Sequence, residues 1–346
     1  MLSHQEEIMQ PSPLPILRIP QETIAFAYLY NLKPDTSILD VEFNGYKLLP
    51  INVFNERYKD HIYNISAINF PAIESVVNGL TCEYVLVATK LPTREGHFDN
   101  IDDIEPNMVC GAFINTVLYF RLFTSCDLQM GTFFISSNKH PERVYRNLFN
   151  TDLMSFFPKL QYMSFEYEKD QANLNLQQVT NIADFILKFD EKQLDIDSEL
   201  LLALSAFNRA CNTSDIFYKI TGFVTTLESL LTSDSRGGEI AFKLKTRLVY
   251  LLNDTNISGI VRDAYELRSA IAHNGGFNKN FYKHFAKFKE LKAVYDQIKL
   301  LEPLCQQSLL YFMNKFIEQD NFSVQNIISS LDKNIFEILA TKNIAE

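Results

Sequence analysis

Near residue 170 the apolar pattern of this 346-residue chain changes period. That change limits the chain to a fold built of strands first and helices after. Alternation with a period of two turns one face of a strand inward, whereas spacing of three and four turns one stripe of a helix inward. Before the change, Val41-Glu-Phe-Asn-Gly-Tyr-Lys-Leu-Leu49 reads as a hairpin turning at Asn44-Gly45, a pair that tolerates the left-handed backbone of a tight turn. Residues 82–89 read as a strand. Residues 110–122 and 130–136 read as longer strands around a polar turn. Residues 140–149 read as a turn and a short helix, and 162–168 as the last strand. After the change, helices are predicted over 176–189, 196–211, 214–232, 238–253, 257–273, 281–317 and 323–341. The fold class is therefore α+β. A polar, Pro-rich arm (1–15) precedes a β-rich N-terminal domain (16–170) and an all-α C-terminal domain (171–346).

The length suits two domains rather than one small core. With 47% apolar residues and only 11 Gly and 12 Pro, the chain is globular. Its 28 Phe and no Trp mean that Phe and Tyr fill the core. A net charge of −10 argues against a protein that coats nucleic acid, but the charge is unevenly spread. Residues 1–200 hold 15 Lys and Arg against 27 Asp and Glu, a net of −12. Residues 201–300 hold 14 against 9, a net of +5, so a polyanion is drawn to that segment. The five cysteines (Cys82, Cys110, Cys126, Cys211, Cys305) are scattered and lack Cys-x-x-Cys spacing. They read as free thiols in a reducing cytoplasm, with no zinc site implied. The first residues lack a basic and apolar leader, and no apolar run approaches the ~20 residues of a membrane span. No Gly-rich phosphate loop supports ATP or GTP hydrolysis, and no cofactor is implied.

Within the positive segment lies Ala264-Tyr-Glu-Leu-Arg-Ser-Ala-Ile-Ala-His-Asn-Gly-Gly276, which places Arg268 and His273 late in one amphipathic helix. Ile260, Ala264, Leu267 and Ile271 form its inward stripe. Arg268 borders that stripe and His273 lies on the far side, about 140° away at ~100° per residue. Gly275 suits the left-handed position that ends a helix. In the last turn, the helix dipole favours a protonated imidazole. An Arg in such a place also commonly lays its stem on the core and pairs with a carboxylate. A guanidinium that holds a phosphate and an imidazole that moves a proton are together sufficient to cleave RNA without a metal.

These residues resemble the HEPN superfamily, and within it the ApeA-like domains, whose hallmark is an Arg-x4–6-His late in a helical bundle. Here it stands as Leu267-Arg268-Ser269-Ala270-Ile271-Ala272-His273-Asn274-Gly275. Two upstream helices of that branch are echoed in order, by Thr226-Leu-Glu228-Ser-Leu-Leu231 and by Lys243-Leu-Lys-Thr-Arg247-Leu-Val-Tyr-Leu251-Leu252. The resemblance covers roughly residues 200–280. It implies an endoribonuclease, often a toxin or phage-defence effector, that works as a homodimer, with Arg268 and His273 as catalytic residues. Ser269 and Asn274 are placed to support them. Glu228 either buttresses Arg268 or Arg247 by a buried ion pair or stands as an exposed helical carboxylate.

Downstream, Phe281-Tyr-Lys-His-Phe-Ala-Lys-Phe-Lys mixes aromatics with Lys283 and Lys287, which are candidates to track an RNA backbone. The same pattern also suits a solvated helix whose Phe residues face the core. Asp102, Asp103 and Glu105 form an acidic loop, more often plain surface than a cation site. His4, His61, His97 and His140 have no partner spacing. The expected function is metal-independent RNA cleavage by Arg268 and His273, with the N-terminal domain sensing a trigger. The alternative is a non-catalytic HEPN-like module for dimerisation or nucleotide binding, with the N-terminal domain as the recognition part. Ser269 and the overall acidity favour that alternative.

Overall fold

The computed structural model describes residues 16–18, 23–67, 83–88, 90–92, 106–125, 128–137, 144–147, 171–192, 195–213, 215–234, 239–274 and 291–344. Its architecture is α+β. The central sheet has six strands, all antiparallel to their neighbours. In chain order these are β2 (Thr23–Tyr30), β4 (Glu42–Phe43), β5 (Tyr46–Pro50), β6 (Tyr84–Ala88), β8 (Gln129–Ser137) and β9 (Val144–Asn147). Their spatial order is β4-β5-β6-β2-β8-β9. Two short pairs lie outside this sheet. β1 (Ile16–Arg18) runs against β7 (Lys90–Pro92), and β3 (Leu32–Pro34) runs parallel to β10 (Ala172–Leu174).

β2 is buried along its whole length because both faces of the sheet are covered. Ala25, Ala27 and Leu29 face one side with Leu86, Ala88, Phe133 and Ile135. Ile24, Phe26, Tyr28 and Tyr30 face the other with Val85, Val87 and Phe134. Two short helices, α1 (Ile51–Arg57) and α2 (Lys59–Ala67), close that second face through Phe54 and Ile65. The expected hairpin forms as β4–β5. Asn44 and Gly45 both take positive φ, 44° and 80°, the geometry that lets a two-residue turn follow the strand twist.

The first face is covered by α3 (Pro106–Phe123), a helix where residues 110–122 were expected to be a strand. The physical reason lies in its surroundings. α3 packs on the sheet at one side and on later helices at the other, so it is apolar nearly all round and its 3.6-residue period is muted. The short helix expected within 140–149 is also corrected, since Val144–Asn147 pairs with β8 as strand β9. The helical pair α1–α2 was not foreseen at all. The strand expected over 162–168, the acidic loop with Asp102, Asp103 and Glu105, and His4, His97 and His140 lie outside the described residues.

Among the described residues, seven longer helices follow: α4 (Leu176–Lys192), α5 (Ser198–Asn212), α6 (Ile216–Leu231), α7 (Ile240–Leu252), α8 (Ile257–Asn274), α9 (Leu291–Glu318) and α10 (Val324–Ile344). These match the periodicity of the sequence closely; the part of the expected 281–317 helix before Leu291 lies outside the described residues. Asp197 caps α5 by accepting from the amides of Glu199 and Leu200, and its second oxygen accepts from Val324 at the start of α10. α5 and α6 lie very close. A Cβ on Gly222 would fall 2.8 Å from Ala210 Cβ and 3.1 Å from the Ala206 carbonyl, so only Gly fits there.

Packing continues across the change of pattern near residue 170. The sheet face, α3 and the helices share one apolar core, and β10 enters it beside β3. Arg121, at the end of α3, is fully buried within this junction. Its Nε donates to the Leu128 carbonyl at 2.8 Å, Nη1 to Asn208 at 3.0 Å and Nη2 to Asn212 at 2.8 Å. Burial pushes its pKa down to about 9, opposed by the charge of Glu302, so it stays cationic at neutral pH. Gln306 on α9 donates to the Arg121 carbonyl, and Gln129 on β8 to the Cys211 carbonyl. Cys110 and Cys305 are buried thiols outside any disulfide. Cys211 corrects the expectation of free thiols: it is disulfide-bonded. Spacing along the chain carries no pairing information when tertiary folding sets which cysteines meet. Among the described residues, no helix is long and apolar enough to cross a membrane.

On the far face of the sheet, His61 of α2 is 5% exposed and shares a 3.2 Å hydrogen bond with Ser136 of β8. Burial lowers its pKa below the ordinary 6.5, opposed by Asp60 and by Ser136. The unfolded chain therefore binds a proton that the folded chain resists. The contribution to stability is complete above pH 6.5 and is lost as pH falls through the lower folded value. Urea denaturation between about pH 7 and pH 5 should show wild-type stability falling more steeply than that of His61→Gln. Parallel pH profiles would contradict this account.

Candidate functional site

α8, the helix that carries the Arg/His motif, is held on three sides by α6, α7 and α9. α7 ends where Asn253 adopts left-handed geometry (φ 52°), and the Asn253 and Asp254 amides donate back to the Tyr250 and Val249 carbonyls. The chain then turns and starts α8 at Ile257. Ile257, Val261, Ala264 and Leu267 are buried, with Ile260 and Ile271 half-buried at the edges. The inward stripe is thus rotated slightly from the one expected. Gln297 of α9 donates to the Ile260 carbonyl at 2.6 Å, which fixes α9 across the first half of α8.

The helix is continuous through Asn274. Arg268 and His273 therefore lie on one uninterrupted helix, about 7.5 Å apart along its axis and about 140° apart around it. The side chains of His273 and Asn274 lie outside the described residues, as do Gly275, Lys283 and Lys287. Ser269 is half-buried beside Arg268.

Arg268 meets Glu228 of α6. Its Nη2 donates to Glu228 Oε2 at 3.3 Å, with the Arg side chain 33% and the Glu side chain 16% exposed. Burial pushes the Glu228 carboxyl above its ordinary value, and the charge of Arg268 opposes that rise. The two candidate partners for Glu228 are thereby resolved: it pairs with Arg268 and leaves Arg247 to others.

Arg247 is the centre of a different network. Its side chain is 1% exposed and all of its guanidinium nitrogens are engaged. Nε and Nη2 donate to the two oxygens of Asp332 on α10, at 2.8 and 2.6 Å. Nη1 and Nη2 donate to Asp234, at 2.6 and 2.9 Å, and Nη1 also donates to the Leu231 carbonyl at 2.6 Å. Lys243 adds a further contact to Asp234. This network ties the end of α6, the loop after it, α7 and α10 together. Its carboxylates were not legible in sequence. Asp332 is 85 residues from Arg247, and Asp234 stands in a loop that reads only as polar.

The two Arg side chains thus differ in kind. Arg247 is saturated and sealed. Arg268 is a third exposed and has, among the described residues, one long contact through one nitrogen. A planar guanidinium with unspent donors at the surface fits a phosphate. Among the described residues, no three His, Cys, Asp or Glu side chains gather as a metal site. No family model matches the chain, and no match is found among the curated proteins or the solved structures.

Proposed function

We propose that this protein is a metal-independent endoribonuclease of the HEPN type, acting as a toxin or phage-defence effector. The observation that carries this reading is Arg268: a partly exposed guanidinium, lightly held by Glu228, on the same continuous helix as His273. In the reaction, the RNA 2′-OH loses its proton to His273 and its oxygen attacks the adjacent phosphorus. The bond from phosphorus to the 5′-oxygen breaks, and that oxygen takes up a proton from an imidazolium. The products are a cyclic phosphate and a 5′-OH. Arg268 stabilises the charge that builds on the phosphate oxygens. Ser269 and Asn274 orient the pair, and Lys283 and Lys287 hold the RNA strand beyond it. The N-terminal sheet senses the trigger.

The angle between the two positions bears on assembly. One helix presents Arg268 and His273 on different faces, so a second copy about a two-fold axis supplies the complement, and two-fold dimers are the commonest oligomers. Mixing inactive His273→Ala and Arg268→Ala proteins should return part of the activity in the mixed dimers. Cleavage by a strict monomer, established by light scattering at the assay concentration, would remove the dimer from the account.

The Glu228–Arg268 pair also favours one rival, a non-catalytic dimerisation or nucleotide-binding module, because a paired guanidinium is a common structural element. Incubating the protein with RNA in excess chelator separates the two. Fragments that depend on His273 support the nuclease; RNA or nucleotide binding without fragments supports the rival.

A further inference from the structure

We infer that Glu228 is a built-in competitor for the RNA phosphate, a carboxylate that holds Arg268 in place and at the same time restrains its affinity for substrate. The inference rests on the reading of Arg268 as a phosphate ligand. A carboxylate and a phosphodiester each present a pair of anionic oxygens, and both are recognised by the same guanidinium fork. Glu228 does not use that fork fully. It makes one contact of 3.3 Å with Nη2, whereas Asp234 and Asp332 each engage Arg247 through two bonds of 2.6 to 2.9 Å. Among the described residues, the same chain thus contains an Arg locked for structure and an Arg held by one nitrogen.

Burial sharpens the contrast. The Glu228 side chain is the more enclosed partner, 16% exposed against 33% for Arg268, so more of the Arg268 side chain is open to solvent. An anion that binds the Arg268 guanidinium comes close to the Glu228 carboxylate paired with it. Glu228 then acts in two ways. Its oxygen fixes where the guanidinium lies, and its negative charge repels the incoming phosphate. Desolvation of the carboxylate, which pushes its pKa up, keeps that charge poorly screened. Glu228 is therefore a positioning residue whose charge limits how tightly resting enzyme holds RNA. That restraint suits a nuclease that must stay quiet until triggered.

Glu228→Gln separates the two roles, because the amide keeps the shape and a hydrogen-bond acceptor but loses the charge. The probe is a fluorescent 2′-O-methyl RNA oligonucleotide, in which the attacking hydroxyl is capped, and the readout is binding by fluorescence anisotropy at low salt. Glu228→Gln should bind about three- to tenfold more tightly than wild type, the scale of removing one partly screened charge beside a phosphate. The gain should shrink at high salt and vanish in the double variant Arg268→Ala/Glu228→Gln. Equal or weaker binding by a cooperatively folded Glu228→Gln protein, or a gain that persists without Arg268, would overturn the inference. If Glu228→Gln does not unfold cooperatively, Glu228→Met, uncharged and similar in length, takes its place in the same comparison. The nuclease reading fails separately, through an absence of His273-dependent fragments from unmodified RNA, and that failure leaves the binding comparison intact.

Discussion

Replacing His273 with Ala should lower RNA cleavage by about 10²–10⁴-fold, the usual contribution of one general acid or base. Arg268→Ala should lose about as much, because a cationic donor aimed at the transferring phosphate acts where charge develops rather than where substrate merely binds. The two variants should differ in character. Loss of His273 removes the proton path and leaves RNA affinity nearly unchanged. Loss of Arg268 removes a phosphate contact, and binding falls with it. Neither should unfold the protein. Arg268 is a third exposed and makes one long ion pair, and partly exposed pairs of that kind contribute about 0–1 kcal/mol. Gel-resolved cleavage, with circular dichroism on the same samples, checks both statements. Full activity in either variant would remove that residue from the chemistry.

Arg247→Met should be the opposite case, a large loss of stability from a residue that never meets substrate. Its 1%-exposed guanidinium neutralises Asp234 and Asp332 and satisfies the Leu231 carbonyl. Methionine fills much of the volume but takes the guanidinium away from both carboxylates, Asp234 keeping its contact with Lys243. Breaking a buried ion network from one side costs about 3–5 kcal/mol. The carboxylates here keep 28% and 35% side-chain exposure, so the lower end of that range is expected. Adding Asp234→Asn and Asp332→Asn to Arg247→Met should recover part of the loss, because the stranded charges are then gone. Urea denaturation of the single and triple variants measures this. A single variant as stable as wild type would show that the network contributes nothing net, and a triple variant less stable than the single would show that charge stranding is not the cause.

The helical part of the fold was legible because its helices are amphipathic and bounded by caps and turns. α5 through α8 begin and end within two residues of where periodicity placed them. α3 was misread because burial on several sides erases the alternation that tells helix from strand, and its length was the better clue. Among the described residues β9 pairs with β8 alone, so one neighbour imposes the strand and local sequence says little. α1 and α2 are short helices docked on the sheet by Phe54 and Ile65, and short segments carry too few periods to read.

The candidate site was legible in part, for a related reason. The motif lies along one helix, so Arg268, Ser269, His273 and Asn274 could be placed by counting residues. Glu228 could be named but not assigned, because an ion pair across 40 residues depends on how two helices meet. The Arg121 junction also joins distant segments, and nothing local marks it.

The central claim is that this chain cleaves RNA through Arg268 and His273 without a metal, and the ends of the fragments test it most directly. RNA incubated with purified protein in excess EDTA should yield fragments carrying a 2′,3′-cyclic phosphate and a 5′-OH, and His273→Ala should yield none. An absence of fragments from wild type, or 5′-phosphate ends that appear only with added Mg²⁺ or Mn²⁺, would contradict it.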